Sequence, residues 1–140
     1  MNGVIIIFHR KRNDQQEFLL VQNAKTGNIS FVGGGQEVGE TLEETAQREV
    51  KEELGLNSSD YVLIPTDVAH KFIFGSRKSE RAGQKGSYAV FLANADLLEN
   101  VSHTSELTSV AWKSKEDVLK ELSFDELREV FSKAIKHIAG

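Results

Sequence analysis

The order of apolar patterns along the chain predicts an α/β (α+β) fold, an α/β/α layered arrangement in which helices cover a mixed β-sheet. Short β-rich segments precede and follow one strongly periodic helical segment, and further helical patterns close the chain. Strands, helix, strands and helices in that order are typical of such layers. The 140 residues suffice to bury an apolar core and contain no linker or repeat, which predicts a single domain over residues 1–140.

The predicted strands are short runs rich in β-branched and aromatic residues. "GVIIIF" and "EFLLVQ" lie on either side of the polar stretch "HRKRNDQQ", which predicts an antiparallel hairpin at the start of the chain. "ISFV" predicts a further short strand. Beyond the first helix, "YVLIP", "HKFIF", "GSYAVFLANA" and "SVAW" predict four more strands.

The first predicted helix begins after Thr41, where the apolar period changes. Its apolar stripe recurs every four residues and consists of Leu42, Ala46, Val50 and Leu54. Thr41, followed three residues later by Glu44, predicts a capping box at the start of the helix. Gly55 adopts the left-handed conformation readily, and it predicts where the helix ends.

The C-terminal part of the chain predicts two more helices. Serine followed by an acid three residues later marks both starts, Ser114 with Asp117 and Ser123 with Glu126. Leu122 and Leu127 have the spacing of a hydrophobic staple at the second start. The last helix has one apolar face, made of Phe124, Leu127, Phe131, Ile135 and Ile138.

Composition limits the classes of function. The net charge of −4 gives no general attraction for nucleic acid, so an anionic substrate must be bound by local charge or by metal ions. No apolar run approaches the roughly 18 residues that a membrane-spanning helix needs, so we expect no membrane partner. The absence of cysteine excludes disulfides and thiolate metal sites, and it is compatible with the cytoplasmic location that we expect.

Three glutamates of the first predicted helix share one face. Glu49, Glu52 and Glu53 fall within an arc of about 100° that is not opposite the apolar stripe. Ion pairs between Arg48 and neighbouring acids explain part of this pattern as an ordinary solvated face. The three acids together, however, destabilise a helix unless something neutralises them, which predicts a divalent cation. Oxygen ligands favour Mg²⁺ or Mn²⁺ over zinc.

A glycine-rich loop precedes this helix. Gly33, Gly34, Gly35 and Gly39 allow the backbone to approach a ligand closely beside a helix N-terminus. The stretch "GGQEVGET" has the spacing of a nucleotide-binding P-loop at every position except Glu40, where that loop requires lysine. Because an acid there would repel phosphates, we reject the P-loop interpretation.

Residues 34–56 taken together resemble the Nudix box, G-x5-E-x7-R-E-U-x-E-E-x-G-U, in which U is a bulky aliphatic residue. Every specified position is filled, by Gly34, Glu40, Arg48, Glu49, Val50, Glu52, Glu53, Gly55 and Leu56. A chance match at a given start has a probability on the order of 10⁻⁹. The flanking strands, the segment "AWKSKEDVLKEL" and the C-terminal helix extend the resemblance over nearly the whole chain.

The resemblance implies the α/β/α sandwich of Nudix hydrolases. It also implies hydrolysis of a phosphoanhydride bond in a nucleoside diphosphate linked to another group, with Mg²⁺ or Mn²⁺ as cofactor. In that pattern the metal ligands are the carboxylates of Glu49, Glu52 and Glu53, together with the main-chain carbonyl of Gly33. These four residues form the expected metal site.

The resemblance also assigns roles around the metal site. Arg48 supports catalysis, whereas Gly34, Glu40 and Gly55 are structural residues of the motif. The general base is left open between two positions. It is either Glu49 in the box or an acid on a later loop, for which Glu106 is the first choice and Glu80 the reserve.

Contacts with the rest of the substrate are expected outside the box. Phe72 and Phe74 in "HKFIFG" have rings that can stack on a nucleobase, although alternating phenylalanines in a strand are also typical of a core. Arg10 in the first turn is a candidate contact. A basic segment either holds distal phosphates or is merely solvated, and it contains Lys71, Arg77, Lys78, Arg81 and Lys85.

The expected partner is a small nucleotide. The C-terminal half resembles hydrolases of nucleoside triphosphates or diadenosine polyphosphates, so these substrates are favoured. Two alternatives remain open: hydrolysis of an RNA 5′ end, which is the one nucleic-acid partner considered, and a sensor module that binds nucleotide without turnover. The sequence does not decide between a monomer and a homodimer.

Overall fold

The computed structural model describes residues 2–73 and 85–138, which contain an ordered series of strands and helices. The strands are β1 (Asn2–Arg12), β2 (Gln15–Asn23), β3 (Ile29–Ser30), β4 (Val32–Gly35), β5 (Val62–Ile73), β6 (Lys85–Asn94) and β7 (Leu107–Lys113). The helices are α1 (Leu42–Leu54), α2 (Lys115–Glu121) and α3 (Asp125–Ala134), and Ser58–Asp60 and Ile135–His137 form single 3-10 turns. No helix within the described ranges is long and apolar enough to cross a membrane.

The strands form one mixed sheet around β1. Strand β1 runs parallel to β6 along most of its length, and β5 lies antiparallel on the far side of β6. On its other side β1 has two antiparallel partners: its first half pairs with β4 and its second half with β2. Strand β2 in turn pairs with β3 and β7. This arrangement leaves β4 paired to β1 on one side, with its other edge facing α1.

Alternate residues of β1 enter two separate cores, because successive side chains of a strand point to opposite faces. Val4, Ile6 and Phe8 pack in the cluster that includes the apolar stripe of α1. Ile5 and Ile7 pack in the cluster formed with α2 and α3. Helices therefore cover both faces of the sheet, which confirms the predicted α/β/α sandwich.

The predicted ends of α1 are confirmed in detail. The hydroxyl of Thr41 accepts a hydrogen bond from the Glu44 N–H at 3.1 Å, and the Glu44 carboxylate accepts one from the Thr41 N–H at 2.9 Å. Gly55 follows the helix with φ of 72°, the left-handed value that glycine adopts without strain. Local sequence thus fixes both ends of the helix that carries the three glutamates.

Three predicted strands have different limits in the structure. The strands predicted at "YVLIP" and "HKFIF" are joined, over residues 62–73, in the single strand β5, which continues through a register shift between Pro65 and Ala69. "ISFV" is instead divided at Phe31, because β3 pairs with β2 whereas β4 pairs with β1. Which partner a short strand finds is a tertiary property, and propensity does not reveal it.

The capping prediction is confirmed for α2 and wrong for α3. The Ser114 hydroxyl accepts a hydrogen bond from the Asp117 N–H at 3.2 Å. The hydroxyl of Ser123, in contrast, accepts one from the Ile29 N–H at 2.8 Å, and Phe124 occupies the N-cap position of α3. Because the helix starts one residue later, Leu122 and Leu127 no longer have the staple spacing.

Candidate active site

The free edge of β4 faces the acidic face of α1. The N–H of Gly33 donates a hydrogen bond to Glu53 Oε2 at 3.3 Å, so this N–H points away from β1. In an antiparallel pair the N–H and C=O of one residue point to the same side. The carbonyl of Gly33 therefore also leaves the edge of the sheet on the side of Glu53, as its predicted role as a metal ligand requires.

Gly34 allows the helix to approach the strand. A Cβ atom built on Gly34 would overlap the carboxylate of Glu49, since the nearest atoms are that group's carbon and both of its oxygens. A Cβ atom fits here only if the Glu49 side chain moves away. Glycine at the first position of the Nudix box therefore allows the Glu49 carboxylate to lie directly against the main chain of β4.

The three glutamates differ in exposure. Glu53 is buried at 7% exposure, whereas the side chains of Glu49 and Glu52 are 12% and 43% exposed. Burial, together with a hydrogen bond to Glu49 and the charge of Glu49, raises the pKa of Glu53 to about 9. Burial also raises the pKa of Glu49. Burial thus makes a negative charge on either carboxyl group unfavourable unless a cation lies beside it.

Arg48 connects β4, here called the glycine strand, to Glu49, Glu52 and Glu53, here called the acidic centre. Its guanidinium donates two hydrogen bonds to Glu40, at 2.7 and 3.0 Å, one to Glu49 Oε1 at 2.8 Å and one to the carbonyl of Gly35 at 2.8 Å. The hydrogen bonds from Arg48 lower the pKa of Glu40 to about 2. Arg48 and Glu40 therefore hold the loop and the helix in a fixed relation, in agreement with their expected supporting roles.

The loop before β7 brings Glu106 close to the same centre. The hydroxyl of Thr104 donates to the carbonyl of Glu52, and the Thr104 N–H donates to the carbonyl of Glu53 at 2.9 Å. This loop is thereby attached to the last turn of α1. Glu106 is exposed, and its charge contributes to the raised pKa of Glu53, which places its carboxylate in the electrostatic neighbourhood of the acids.

The residues present fit a hard divalent cation, although their side chains are arranged differently in this structure. Among residues 2–73 and 85–138, no three acidic or histidine side chains converge as ligands of one ion. Arg48 Nη1 instead contacts Glu49 and lies 3.3 Å from Glu52 Oε2. The donor set nevertheless consists of oxygen atoms alone, which suits Mg²⁺ and Mn²⁺, and a cation would offset the cost of ionising the two buried carboxyl groups.

A cavity of about 480 Å³, here called the aromatic cavity, opens beside Gly33 and Gly34. Its walls come from β1, β3, β4, β5, β6 and α3, and they include Ser30, Phe31, His70, Tyr88, Phe124 and Leu127. Sequence analysis did not identify this set, because its members come from elements far apart in the chain. Only the structure shows that Phe124, on the apolar face of the last helix, is 43% exposed rather than fully packed.

Arg10 lies away from these groups. Its guanidinium donates to Glu17 at 2.8 Å and to the carbonyl of Glu99 at 2.7 Å, and it stacks on the ring of Trp112 at 4.2 Å. Arg10 is five residues along β1 from the partner of Gly33, a separation of roughly 16 Å. The structure therefore does not bring Arg10 to the acidic centre.

The other predicted substrate contacts are only partly described. Lys71 is exposed on β5, next to His70 of the aromatic cavity. Phe74, Glu80 and the basic residues at 77, 78 and 81 lie outside the described residues, as do the side chains of Phe72 and Lys85. The roles proposed for these residues stay predictions.

Comparisons with known proteins agree with this geometry. The model of the NUDIX domain matches residues 2–134, and a comparison with curated proteins finds no match. An Ap4A hydrolase from C. elegans has a similar structure, with a TM-score of 0.78, 22% identity and 98% of each chain covered. A dihydroneopterin triphosphate pyrophosphohydrolase from E. coli has a TM-score of 0.81 and 17% identity, with 98% of this chain and 96% of that chain covered.

At these identities the two structures establish the fold, and the family model establishes the family. That model spans nearly the whole chain, including the glycine strand, the three glutamates and Glu106. The chain therefore belongs to the NUDIX domain family, the Nudix hydrolases that act on phosphoanhydride bonds.

Proposed function

We propose that this chain is a metal-dependent pyrophosphohydrolase whose substrate is a nucleoside triphosphate or a diadenosine polyphosphate. The observation that carries the proposal is the position of Glu49 and Glu53. Both carboxyl groups are buried against the edge of β4, beside a cavity large enough for a nucleoside. The two similar structures, an Ap4A hydrolase and a dihydroneopterin triphosphate pyrophosphohydrolase, support this substrate class.

The proposed metal ligands are the carboxylates of Glu49, Glu52 and Glu53 and the carbonyl of Gly33. A bound Mg²⁺ or Mn²⁺ supplies positive charge to the phosphate oxygens and withdraws electron density from the bond that breaks. The chain supplies the fixed geometry: Gly34 lets Glu49 lie against the strand, and the pairing of β4 with β1 keeps the Gly33 carbonyl at the edge of the sheet.

The proposed general base is a carboxylate that takes a proton from the attacking water. Glu106 fits this role because it is exposed and lies in the field of Glu53. Glu49 is the alternative, although its contact with Arg48 and its burial limit its access to water. Arg48 orients Glu49 and holds the loop through Glu40.

The aromatic cavity is the proposed site of the nucleoside. Phe31, Tyr88 and Phe124 offer ring surfaces to a base, and the cavity reaches Gly33 and Gly34 at the acidic centre. With its base in this cavity, a nucleotide would extend its phosphates past Gly33 and Gly34 toward Glu53. We also propose a cytoplasmic location, for which the lack of cysteine is the only support.

A substrate panel tests the proposal. Purified protein with Mg²⁺ or Mn²⁺ is incubated with ATP, diadenosine tetraphosphate, ADP-ribose and an RNA with a 5′ triphosphate, and the products are separated by chromatography. We expect release of nucleotide from ATP or diadenosine tetraphosphate, and none in the presence of a chelator. Nucleotide binding without release would instead support a sensor module, and selective cleavage of the RNA would support the 5′-end alternative.

A matched pair of variants tests the metal assignment. Glu52→Gln removes a carboxylate that is 43% exposed, so we expect a folded protein whose turnover falls by at least about two orders of magnitude. Glu129→Gln, an exposed position on α3, serves as the control and keeps normal turnover. Near-normal turnover in Glu52→Gln would contradict its assignment as a metal ligand.

A further inference from the structure

A second cavity, of about 360 Å³, lies beside the acidic centre and is here called the lysine cavity. Its walls come from the turn after β2 and the loop before β7, and they consist of Asn23, Ala24, Lys25, Ser105 and Glu106. Neither the sequence motifs nor the proposed catalytic roles account for Lys25. The cavity nevertheless shares Glu106 with the proposed active site.

The turn that carries Lys25 is held by its own hydrogen bonds. The side-chain oxygen of Asn23 accepts from the N–H groups of Lys25 and Thr26 at 2.8 and 3.0 Å. The Gly27 N–H donates to the carbonyl of Asn23 at 2.8 Å, which closes the turn. The Ala24 N–H donates to the carbonyl of Glu106 at 3.1 Å and joins the turn to the loop of the active site. The main chain of Lys25 is therefore fixed relative to Glu106.

The charge of Lys25 is available to a ligand. Its side chain is exposed and forms no ion pair with any residue in the ranges that the structure describes. Arg48, by comparison, is fully engaged with Glu40, Glu49 and Gly35. An unpaired ammonium group beside an acidic site can attract a polyanionic substrate, which the acids alone would repel.

The two cavities are connected through the acids, by a hydrogen bond on one side and by the charge of Glu106 on the other. The aromatic cavity reaches Gly33, whose N–H binds Glu53, and Glu106 lies near Glu53 and lines the lysine cavity. A nucleotide whose base occupies the aromatic cavity would extend its phosphates past Glu53 in the direction of Lys25. The far end of the phosphate chain is then the part that the lysine meets.

We infer that Lys25 binds the third phosphate counted from the nucleoside, and that it thereby selects substrates with at least three phosphates. The inference rests on the proposed function and names the feature of the substrate that this site recognises. A nucleoside diphosphate joined to a neutral sugar places no charge in the lysine cavity, so Lys25 gives it no advantage. Lys25 is thus a specificity-determining residue for the polyphosphate part of the substrate.

Three variants separate this role from a structural one. Lys25→Gln removes the charge, Lys25→Arg keeps it, and Lys115→Gln removes the charge of another exposed lysine, on α2. With Mg²⁺ present, we expect Lys25→Gln to lower kcat/KM for ATP by about tenfold or more, the usual effect of losing a charge-assisted hydrogen bond. Lys25→Arg should restore most of this loss, and Lys115→Gln should behave as the wild type.

Binding measurements decide the inference independently of turnover. Calorimetry with inorganic tripolyphosphate and Mg²⁺ should show weaker binding to Lys25→Gln, again by about tenfold, and nearly unchanged binding of AMP, which has no distal phosphate. Equal binding of tripolyphosphate by the wild type and Lys25→Gln would overturn the role of Lys25, even if ATP is hydrolysed. Absence of all turnover in the wild type would overturn the proposed function, while the binding result would still decide the role of the lysine.

Discussion

Replacing Glu53 with glutamine should stabilise the metal-free protein at neutral pH. Burial and the neighbouring Glu49 raise the pKa of Glu53 from 4.5 to about 9. The unfolded chain loses this proton near pH 4.5, whereas the folded chain keeps it up to about pH 9. The folded state therefore binds more protons between these pH values, and the free energy of unfolding falls by about 1.4 kcal/mol for each unit of rising pH.

The magnitude at neutral pH follows from this slope. About two and a half pH units separate the ordinary pKa from pH 7, so Glu53 costs the folded state about 3 kcal/mol there relative to acidic pH. Glutamine is neutral at every pH, and its oxygen can still accept from the Gly33 N–H. Glu53→Gln should therefore raise the free energy of unfolding by about 3 kcal/mol at pH 7, and the gain should vanish near pH 4.

Equilibrium unfolding in urea, with a chelator present, measures this effect at a series of pH values. The wild type should lose stability as the pH rises from about 5 to about 9, and Glu53→Gln should lack this component of the loss. Glu129→Gln controls for the removal of a single carboxylate from the surface. Equal pH slopes for the wild type and Glu53→Gln would refute the account, since a normally ionised Glu53 carries no such cost.

Three further predictions concern single positions. Gly34→Ala should reduce activity, because its Cβ displaces the carboxylate of Glu49 from the edge of β4, as ATP hydrolysis measures. Since the side chain of Glu49 can rotate, the free energy of unfolding in urea should change by no more than about 1 kcal/mol. Arg10→Ala should lower the free energy of unfolding by roughly 1–3 kcal/mol, because Glu17 loses its partner. Its kcat/KM should stay within roughly twofold of the wild type, and a larger fall would restore Arg10 as a substrate contact. Phe124→Ala should raise KM for nucleotide several-fold with little change in melting temperature, and an unchanged KM would remove Phe124 from the nucleoside site.

Much of the acidic centre could be predicted from sequence because it is built locally. Thr41, Glu44 and Gly55 fix the ends of α1 through hydrogen bonds and a backbone angle that depend on a few neighbouring residues. Once the helix is fixed, its period places Glu49 and Glu53 on the face that meets the glycine strand. The alternation of β1 likewise gives two apolar faces, and so the two helical layers.

The parts that sequence did not predict depend on which distant elements meet. The aromatic cavity combines Phe31, Tyr88 and Phe124, and no periodicity relates residues so far apart in the chain. Ser123 has the sequence pattern of a helix cap, but its hydroxyl accepts a hydrogen bond from the Ile29 N–H of β3 instead. Arg10 has the charge of a phosphate contact, but in the fold its guanidinium stacks on Trp112 and donates a hydrogen bond to Glu17.

The arrangement of Arg48 indicates how the site can take a cation without moving its main chain. The contacts of Arg48 divide into two groups: those with Glu40 and the Gly35 carbonyl, and those of Nη1 with Glu49 and Glu52. The first group suffices to hold the guanidinium, because it includes a two-pronged ion pair and a main-chain acceptor. Rotation of the Glu49 and Glu52 side chains can therefore replace their contacts with Nη1 by contacts with a metal ion. Since strand pairing fixes β4 and two caps fix α1, we expect metal binding to change side-chain torsions rather than the fold.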